Sequence, residues 1–376
     1  MTPTRIHWTE ADVAHEARWR SESGAPPPQR VVIADDRTTA DAAYRLACAG
    51  TAMLWRGDYQ NLRQLLQALA RRADRKPRAH AAAPPLTGAA AFHRHRQLQS
   101  QRARTLGMLL LPLGDDYTIP LRRAPDLRLA CCEAYGPALG PSVTSLRELL
   151  GLVGAHEWRK RGVEVPAAGG RIHPHYGVFS PLRGEYVALV ATAPLPSSAL
   201  AFDVGTGTGV LAAVLARRGV ERVVATDQDP RALACARANL ERLGHAPHVE
   251  LLQVDLFPPG HAPLIVCNPP WIPARPSSPI EHALYDPDSR MLRGFIAGLA
   301  AHLSPAGEGW LILSDIAEHL GLRTREELLA AFAAASLRVV ARSEARPQHP
   351  RASDPDDPLH AARAAEMTSL WRLAAA

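Results

Sequence analysis

One segment, from Ala201 to Gly209, limits the folds open to this chain more than any other feature. It begins with Ala201-Phe202-Asp203-Val204, whose apolar character is typical of a buried strand, and continues with a glycine at every second position. Because glycine has no β-carbon, such a loop lets the backbone turn tightly around a ligand and enter a helix directly. The segment therefore predicts a strand, a loop and a helix that meet at a ligand site.

From Leu200 onward, short apolar runs alternate with amphipathic stretches, which predicts a mostly parallel sheet with helices on both faces. Seven strands are expected, at residues 200–204, 222–227, 249–255, 264–267, 310–314, 337–341 and 368–373. Helices are expected at residues 209–218 and 230–243, and a capping box of Thr324 and Glu327 begins another that runs to about residue 335. The predicted fold class is therefore α/β, with a Rossmann-like seven-stranded sheet.

The chain has 376 residues, enough for two domains. We expect an N-terminal α/β accessory domain over residues 1–165 and the main domain over residues 166–376. Residues 30–73 alternate strand, helix, strand and helix without a glycine-rich loop, and a helix is expected at residues 145–161 after a capping box of Ser145 and Glu148. Residues 163–181, rich in glycine and proline, are predicted to form a hairpin or a linker.

The net charge of +6 is concentrated in one segment. Residues 71–104 carry nine basic side chains and a single acid, Asp74. Such a cluster is typical of a surface that binds a polyanion such as RNA. It is also typical of a solvated linker, since alanine and proline fill residues 81–90. Both interpretations stay open on this pattern.

The five cysteines are odd in number and lack paired metal spacing, which predicts reduced thiols and a cytoplasmic protein. No apolar run reaches the roughly 18 residues typical of a membrane span, so no membrane contact is expected. His173, His175 and His282 match no zinc pattern, and we expect packing or solvated side chains there and no metal.

Acidic residues follow successive strands of the predicted sheet. The spacing Gly-x-Gly-x-Gly differs from the dinucleotide pattern, and Asp203 before it suits a ligand with an ammonium and a sulfonium group better than a pyrophosphate. Asp227 ends the second strand, where a carboxylate can accept both ribose hydroxyls of a nucleoside. Asp255 ends the third, where it can read the amino group of adenine while Leu256 packs on the ring.

These residues resemble the class I S-adenosylmethionine-dependent methyltransferases over about residues 170–375. The resemblance implies an enzyme with S-adenosyl-L-methionine as cofactor. It implies that the methionine portion is bound by Asp203, Gly205, Gly207 and Gly209, the ribose by Asp227 and the adenine by Asp255. The further cofactor contacts that it implies are Phe179, Pro181, Thr206, Gln228, Leu256 and Asn268.

The fourth strand ends in Asn268-Pro269-Pro270-Trp271, which we predict to be the catalytic segment. An amide or aromatic amine nitrogen is a poor nucleophile because its lone pair is delocalised. The side-chain carbonyl of Asn268 and the backbone carbonyl of Pro269 can accept its two N–H bonds and point the lone pair at the methyl group. Pro270 stiffens the loop, and Trp271 offers an aromatic face on which a planar acceptor can stack.

This tetrapeptide is similar to the Asn-Pro-Pro-aromatic signature of methyltransferases that act on glutamine amides, adenine N6 and guanine N2. Residues 177–180, Gly-Val-Phe-Ser, resemble a stretch of the small-domain ribosomal RNA guanine-N2 methyltransferases. Residues 268–273 look more like the HemK-type glutamine methyltransferases. The Gly-Gly-x-Asp-Gly element of that family is missing, and Tyr285-Asp286-Pro287-Asp288 stands near its place.

We therefore expect an N-methyltransferase whose acceptor is the exocyclic nitrogen of an RNA base, because of the basic residues 71–104. The alternative is a protein glutamine N5-methyltransferase. A small-molecule N-methyltransferase, with residues 273–290 as a lid, and an inactive RNA-binding protein of the same fold are the further alternatives.

Overall fold

The computed structural model describes residues 4–75, 86–276, 281, 283–347, 354 and 357–376. The chain forms two compact units. The first comprises Met1–Pro85 and His93–Glu157, and the second comprises Leu86–Phe92 and Trp158–Ala376. The division after Glu157 lies shortly before the boundary that we expect at residue 165.

The first unit is built on a six-stranded mixed sheet in the order β1-β2-β6-β5-β4-β3. Its strands are β1 (Arg5–Glu10), β2 (Val13–Trp19), β3 (Arg30–Ala34), β4 (Thr51–Trp55), β5 (Leu109–Leu113) and β6 (Ser142–Ser145). The helices of this part of the chain are α1 (Ala40–Cys48), α2 (Tyr59–Ala73), α3 (Gly88–Leu106), α4 (Arg128–Tyr135) and α5 (Leu146–Arg161). Helix α3 begins within the residues that belong to the second unit.

The strands and helices expected over residues 30–73 are confirmed, but the other elements before α5, which are β1, β2, β5, β6, α3 and α4, were not predicted. In β1, Ile6 and Trp8 alternate with exposed polar residues but only Ile6 is buried, and in β2 only Ala17 is buried, so both strands give a weak signal in the sequence. Helix α3 covers part of the stretch that we considered a linker. Its alanines and its Arg and Gln residues are good helix formers, which outweighs the few apolar positions.

The second unit contains strands β7 (Val163–Val165), β8 (Gly170–Ile172), β9 (Leu200–Val204), β10 (Arg222–Asp227), β11 (Val249–Gln253), β12 (Ala262–Cys267), β13 (Leu303–Ser314), β14 (Leu337–Ala345) and β15 (Thr368–Ala375). Its helices are α6 (Glu185–Thr192), α7 (Val210–Arg217), α8 (Pro230–Leu243), α9 (Arg290–His302), α10 (Ile316–His319), α11 (Arg325–Ala334) and α12 (His360–Ala365). Strands β7 and β8 form a hairpin in the first part of residues 163–181, where the sequence predicts a hairpin or a linker.

The main sheet has seven strands in the order β11-β10-β9-β12-β13-β15-β14, which confirms the predicted fold class. Neighbouring strands from β11 to β13 run parallel, whereas β15 runs antiparallel to both β13 and β14. Successive residues of β9 reach opposite faces: Ala201 packs with Tyr186 of α6, and Phe202 packs with Phe295 of α9. The sheet is therefore covered by helices on both sides.

One of the two predicted capping boxes is complete. At the start of α11, the Thr324 side chain accepts from the backbone N–H of Glu327, and the Glu327 side chain accepts from that of Thr324. At the start of α5, Ser145 accepts from the backbone N–H of Glu148, but the Glu148 carboxylate accepts from the Tyr135 hydroxyl at 2.7 Å. Among the described residues, no helix combines the length and the apolar character needed to cross a membrane.

Candidate functional site

The site lies where the order of the main sheet reverses, at the carboxyl ends of β9 and β12. The register places Val204 opposite Cys267, so the loops that begin at Gly205 and Asn268 leave the same edge side by side. Ligands of open α/β sheets bind at such reversal points. A cavity of about 400 Å³ opens there, and both loops line it.

The glycine loop after β9 has a backbone that other residues rarely adopt. Gly205, Gly207 and Gly209 have φ angles of +74°, +55° and +79°. A β-carbon at Gly209 would lie 3.1 Å from the Cα of Ala236 on α8, so α7 can approach α8 only because this residue is glycine. The loop is thereby fixed against the neighbouring helix.

Asp203 lies beneath the loop and outside the cavity lining. One of its carboxylate oxygens accepts from the Thr206 hydroxyl at 2.7 Å and from the backbone N–H of Ala212 at 3.0 Å. Burial raises the pKa of this carboxyl from 3.8 to about 6, although the two hydrogen bonds lower it. The side chain therefore ties the loop to the first turn of α7.

Asp227 reaches the cavity from the end of β10. Its carboxylate accepts from the backbone N–H of Gly207 at 3.0 Å and from that of Asp229 at 3.0 Å. Burial raises its pKa above the usual range, and the hydrogen bonds oppose that shift. The carboxylate thus links the glycine loop to the turn that follows β10, and the next residue, Gln228, also lines the cavity.

The third strand end contributes Asp255 and Leu256 to the lining. The Asp255 carboxylate forms an ion pair with Arg290, which lines the same cavity. Leu256 adopts a φ of +65°, and its carbonyl accepts from the Thr226 hydroxyl at 2.6 Å. This bond holds the turn in a conformation that a leucine would otherwise avoid.

The predicted catalytic segment lines the cavity with Asn268, Pro269, Pro270 and Trp271. The indole Nε1–H of Trp271 donates to Oδ1 of Asn268 at 2.9 Å, which identifies the amide oxygen of that side chain. The guanidinium carbon of Arg183 lies 4.7 Å from the centroid of the Trp271 ring. The asparagine and the tryptophan therefore form one hydrogen-bonded unit.

The cavity brings together most of the residues proposed from the sequence. The predicted cofactor contacts that line it are Phe179, Gly205, Thr206, Gly207, Asp227, Gln228, Asp255, Leu256 and Asn268. Three others lie outside the lining: Pro181 is buried, Asp203 supports the loop and Gly209 begins α7. The individual ligand contacts stay predictions.

Sequence reasoning missed several residues of the site. Arg183, Tyr285, Met291 and Glu366 line the cavity. Asn239 supports it from α8, where its side-chain amide donates to the Thr208 carbonyl at 3.1 Å. Asn239 had a detectable signal, because it is a polar residue on the apolar face of a helix. The other four have no local signal.

The described residues contain no group of three or more His, Cys, Asp or Glu arranged to hold a metal ion. A ring nitrogen of His173 lies 2.6 Å from the backbone carbonyl oxygen of Arg159, a contact typical of a packing histidine. His282 lies outside the described residues.

Known proteins are similar to this part of the chain. Residues 169–337 match the family model described as "Methyltransferase small domain". The release factor glutamine methyltransferase of Cereibacter sphaeroides is 37% identical over 164 residues, which cover 42% of this chain and 55% of that protein. The ribosomal protein L11 methyltransferase of Chelativorans sp. is 31% identical over 179 residues, which cover 48% of this chain and 54% of that protein.

A shorter match is closer in sequence: the ribosomal protein L11 methyltransferase of Pelotomaculum thermopropionicum is 49% identical over 69 residues, 18% of this chain and 22% of that protein. The chain spans about half the length of the first two relatives. These matches confirm the prediction of a methyltransferase domain of the S-adenosyl-L-methionine-dependent class. The match to the methyltransferase small domain model covers residues 169–337, somewhat less than half of the chain.

Proposed function

We propose that this protein is an N-methyltransferase that transfers a methyl group from S-adenosyl-L-methionine to the NH2 nitrogen of a planar amide. The first candidate acceptor is a glutamine-type side chain of a protein. The observation that carries the proposal is the position of Asn268. This residue follows β12 directly beside the glycine loop, and its amide oxygen accepts a hydrogen bond from the indole N–H of Trp271.

The residues around the loop fit the cofactor. Gly207 has open space where a β-carbon would stand, which leaves room for a ligand against the loop. At the end of β10, the fixed carboxylate of Asp227 can accept hydrogen bonds from the ribose hydroxyls of the cofactor. Leu256 provides an apolar contact for a ring system. When bound, S-adenosyl-L-methionine supplies an electrophilic methyl group on a sulfonium. The chain itself binds the cofactor and the methyl acceptor, orients them and excludes water.

Asn268 and Pro269 supply the acceptors that such a reaction needs. A carbonyl oxygen has two lone pairs, and Trp271 occupies one of those on Oδ1 of Asn268, which leaves the other for an N–H of the substrate. The backbone carbonyl of Pro269 can accept the second N–H. Held at both hydrogens, the nitrogen presents its lone pair in one direction, which lowers the entropic part of the barrier.

Charge in the cavity favours a neutral acceptor. Three guanidinium groups stand in its described lining, and each faces a carboxylate, in the pairs Arg183–Glu366, Arg290–Asp255 and Arg363–Asp357. Because these cations are already neutralised, the lining offers little attraction to a phosphodiester. A side-chain amide needs no such attraction. The names of the relatives, which include release factor glutamine methyltransferases, agree with this class.

The exocyclic nitrogen of an RNA base is the second candidate, and the basic segment favours it. Arg71 and Arg75 are exposed at the end of α2. Other charges of the segment are neutralised: Arg72 pairs with Asp41 and Arg102 pairs with Asp74. The predicted RNA contact therefore depends on fewer free cations than the sequence count indicates. Residues 76–85 of the segment lie outside the described residues.

The test incubates the purified full-length protein with radiolabelled S-adenosyl-L-methionine and either a ribosome and release-factor protein fraction or undermodified total RNA. Label in a protein band, assigned to a methylated side-chain amide by mass spectrometry, supports the first candidate. Label that nuclease digestion releases as a methylated base supports the second. Label in neither fraction counts against both.

A further inference from the structure

Trp271 is held from two sides at the acceptor end of the cavity. Its indole N–H donates to Oδ1 of Asn268 at 2.9 Å, and the guanidinium carbon of Arg183 lies 4.7 Å from its ring centroid. A guanidinium over an indole face is attracted by the negative potential of the ring. The orientation of the indole is therefore set by one hydrogen bond and one cation–π contact.

Arg183 is itself fixed by two carboxylates. Its Nε donates to Oε1 of Glu185 at 2.7 Å, and its Nη1 donates to Oε1 of Glu366 at 2.9 Å. The Glu366 carboxylate also accepts from the hydroxyl of Ser314. The side chains of Arg183, Glu185 and Glu366 are only 17%, 7% and 4% exposed. Such a bridged, largely buried guanidinium has little freedom to leave the indole face.

We propose that Trp271 is a positioning residue whose indole N–H keeps the amide oxygen of Asn268 turned toward the acceptor, and that Arg183 keeps Trp271 in place. This proposal rests on the proposed function. An asparagine amide presents an oxygen on one side and an NH2 group on the other. Without the indole donor, the amide of Asn268 can rotate and meet the N–H of the acceptor with an N–H of its own.

The same geometry limits how an acceptor can stack. The face of the indole beneath Arg183 is covered, so a planar acceptor can use only the opposite face of Trp271. The stacking expected from the sequence is therefore restricted to one side. A Tyr or Phe at this position would keep an aromatic face but would lose the indole donor.

The kinetic experiment compares Trp271→Phe with Trp158→Phe, the matched control at a tryptophan that is 42% exposed on α5. We expect kcat of Trp271→Phe to fall about tenfold to hundredfold, with the Kd for S-adenosyl-L-methionine unchanged and the protein still folded at the assay temperature. The control should match the unsubstituted protein. In the same assay, Arg183→Lys should retain more activity than Arg183→Met, because lysine keeps the charge over the ring. A Trp271→Phe variant with full kcat would overturn the proposal.

The second experiment needs no turnover. In 15N-edited NMR spectra, the signal that disappears in Trp271→Phe identifies the indole N–H of residue 271. We expect this N–H to exchange slowly with solvent, and at least tenfold faster in Asn268→Ala. Equal exchange in both proteins would contradict the proposal. If the unsubstituted enzyme methylates no acceptor, the proposed function fails, while the exchange rates still decide whether Trp271 fixes Asn268.

Discussion

The carboxylate of Asp203 accepts a hydrogen bond from the Thr206 hydroxyl at 2.7 Å, and both side chains are buried. The same oxygen accepts from the backbone N–H of Ala212, the third residue of α7. A buried carboxylate that receives only two hydrogen bonds keeps a substantial desolvation cost, which is why its pKa rises to about 6. Asp203 thus fixes the shape of the glycine loop at some cost in the stability of the fold.

Asp203→Asn should remove a pH dependence of stability. Because the folded-state pKa of about 6 exceeds the ordinary value of 3.8, folding favours the protonated carboxyl, and stability falls as pH rises from about 4 to about 6. The asparagine carbonyl can accept both hydrogen bonds and never ionises. The free energy of unfolding of the variant should therefore come to exceed that of the original protein across this window, by up to about 3 kcal/mol, and the difference should persist above pH 6. Melting temperatures between pH 4 and pH 7 measure this, and parallel curves would contradict it.

Asp227→Asn should weaken cofactor binding more than Asp255→Asn does. The Asp227 carboxylate is partly buried and accepts hydrogen bonds from the backbone N–H groups of Gly207 and Asp229, so its replacement should disturb the glycine loop and remove the predicted contact to the ribose. Hydrogen bonds to charged groups contribute about 1.5–3 kcal/mol, which corresponds to roughly tenfold to hundredfold in Kd. The half-exposed Asp255, paired with Arg290, should matter less. Titration calorimetry with S-adenosylhomocysteine compares the two, and equal losses would refute the ranking.

Gly209→Ala should destabilise the fold more than Gly219→Ala. Both residues have positive φ angles, +79° and +89°, and a side chain there costs on the order of 1 kcal/mol. Only at Gly209 would the new β-carbon also come within 3.1 Å of the α8 backbone at Ala236, whereas nothing lies within 4 Å at Gly219. Chemical denaturation should show an additional loss of about 1–2 kcal/mol for Gly209→Ala. Similar losses in both variants would mean that the helices adjust freely.

Local signals account for the parts of the fold that the sequence predicts well. The bounds of β9, β10 and α8 agree with expectation. Strands β9 and β10 are short apolar runs, and α8 begins with an aspartate cap, Asp229, followed by Pro230. The glycine loop and Asn268 were found for the same reason. Glu366, however, meets Arg183 across 183 residues of chain, and no local pattern reports such a contact. Helix α3 was missed because a basic, alanine-rich segment is compatible with both a linker and a helix.

Asn268→Ala should abolish most turnover and spare cofactor binding. The variant removes the carbonyl that we propose to accept an N–H of the methyl acceptor, and removal of one such group from an active site typically lowers kcat by about 100-fold to 1000-fold. Although Asn268 lies beside the glycine loop, it is one of many predicted cofactor contacts, and the Kd for S-adenosyl-L-methionine should therefore change by no more than about threefold. Single-turnover label transfer and calorimetry measure the two effects. The control is Asn61→Ala in the first unit, and retained turnover in Asn268→Ala would refute the assigned chemistry.

Phe92→Ala should damage both the stability of the second unit and the acceptor end of its cavity. Phe92 is 2% exposed and packs with Ile316 and Leu320, and its ring centroid lies 6.5 Å from that of Tyr285. Ile316 and Tyr285 line the cavity, so the space left by the ring should loosen them and raise KM for the acceptor. The expected loss of stability is about 3–5 kcal/mol. Leu98→Ala, at a 47% exposed position of the same helix, should lose less than about 0.5 kcal/mol and keep its KM. Equal KM values for both variants would show that this packing does not shape the acceptor site.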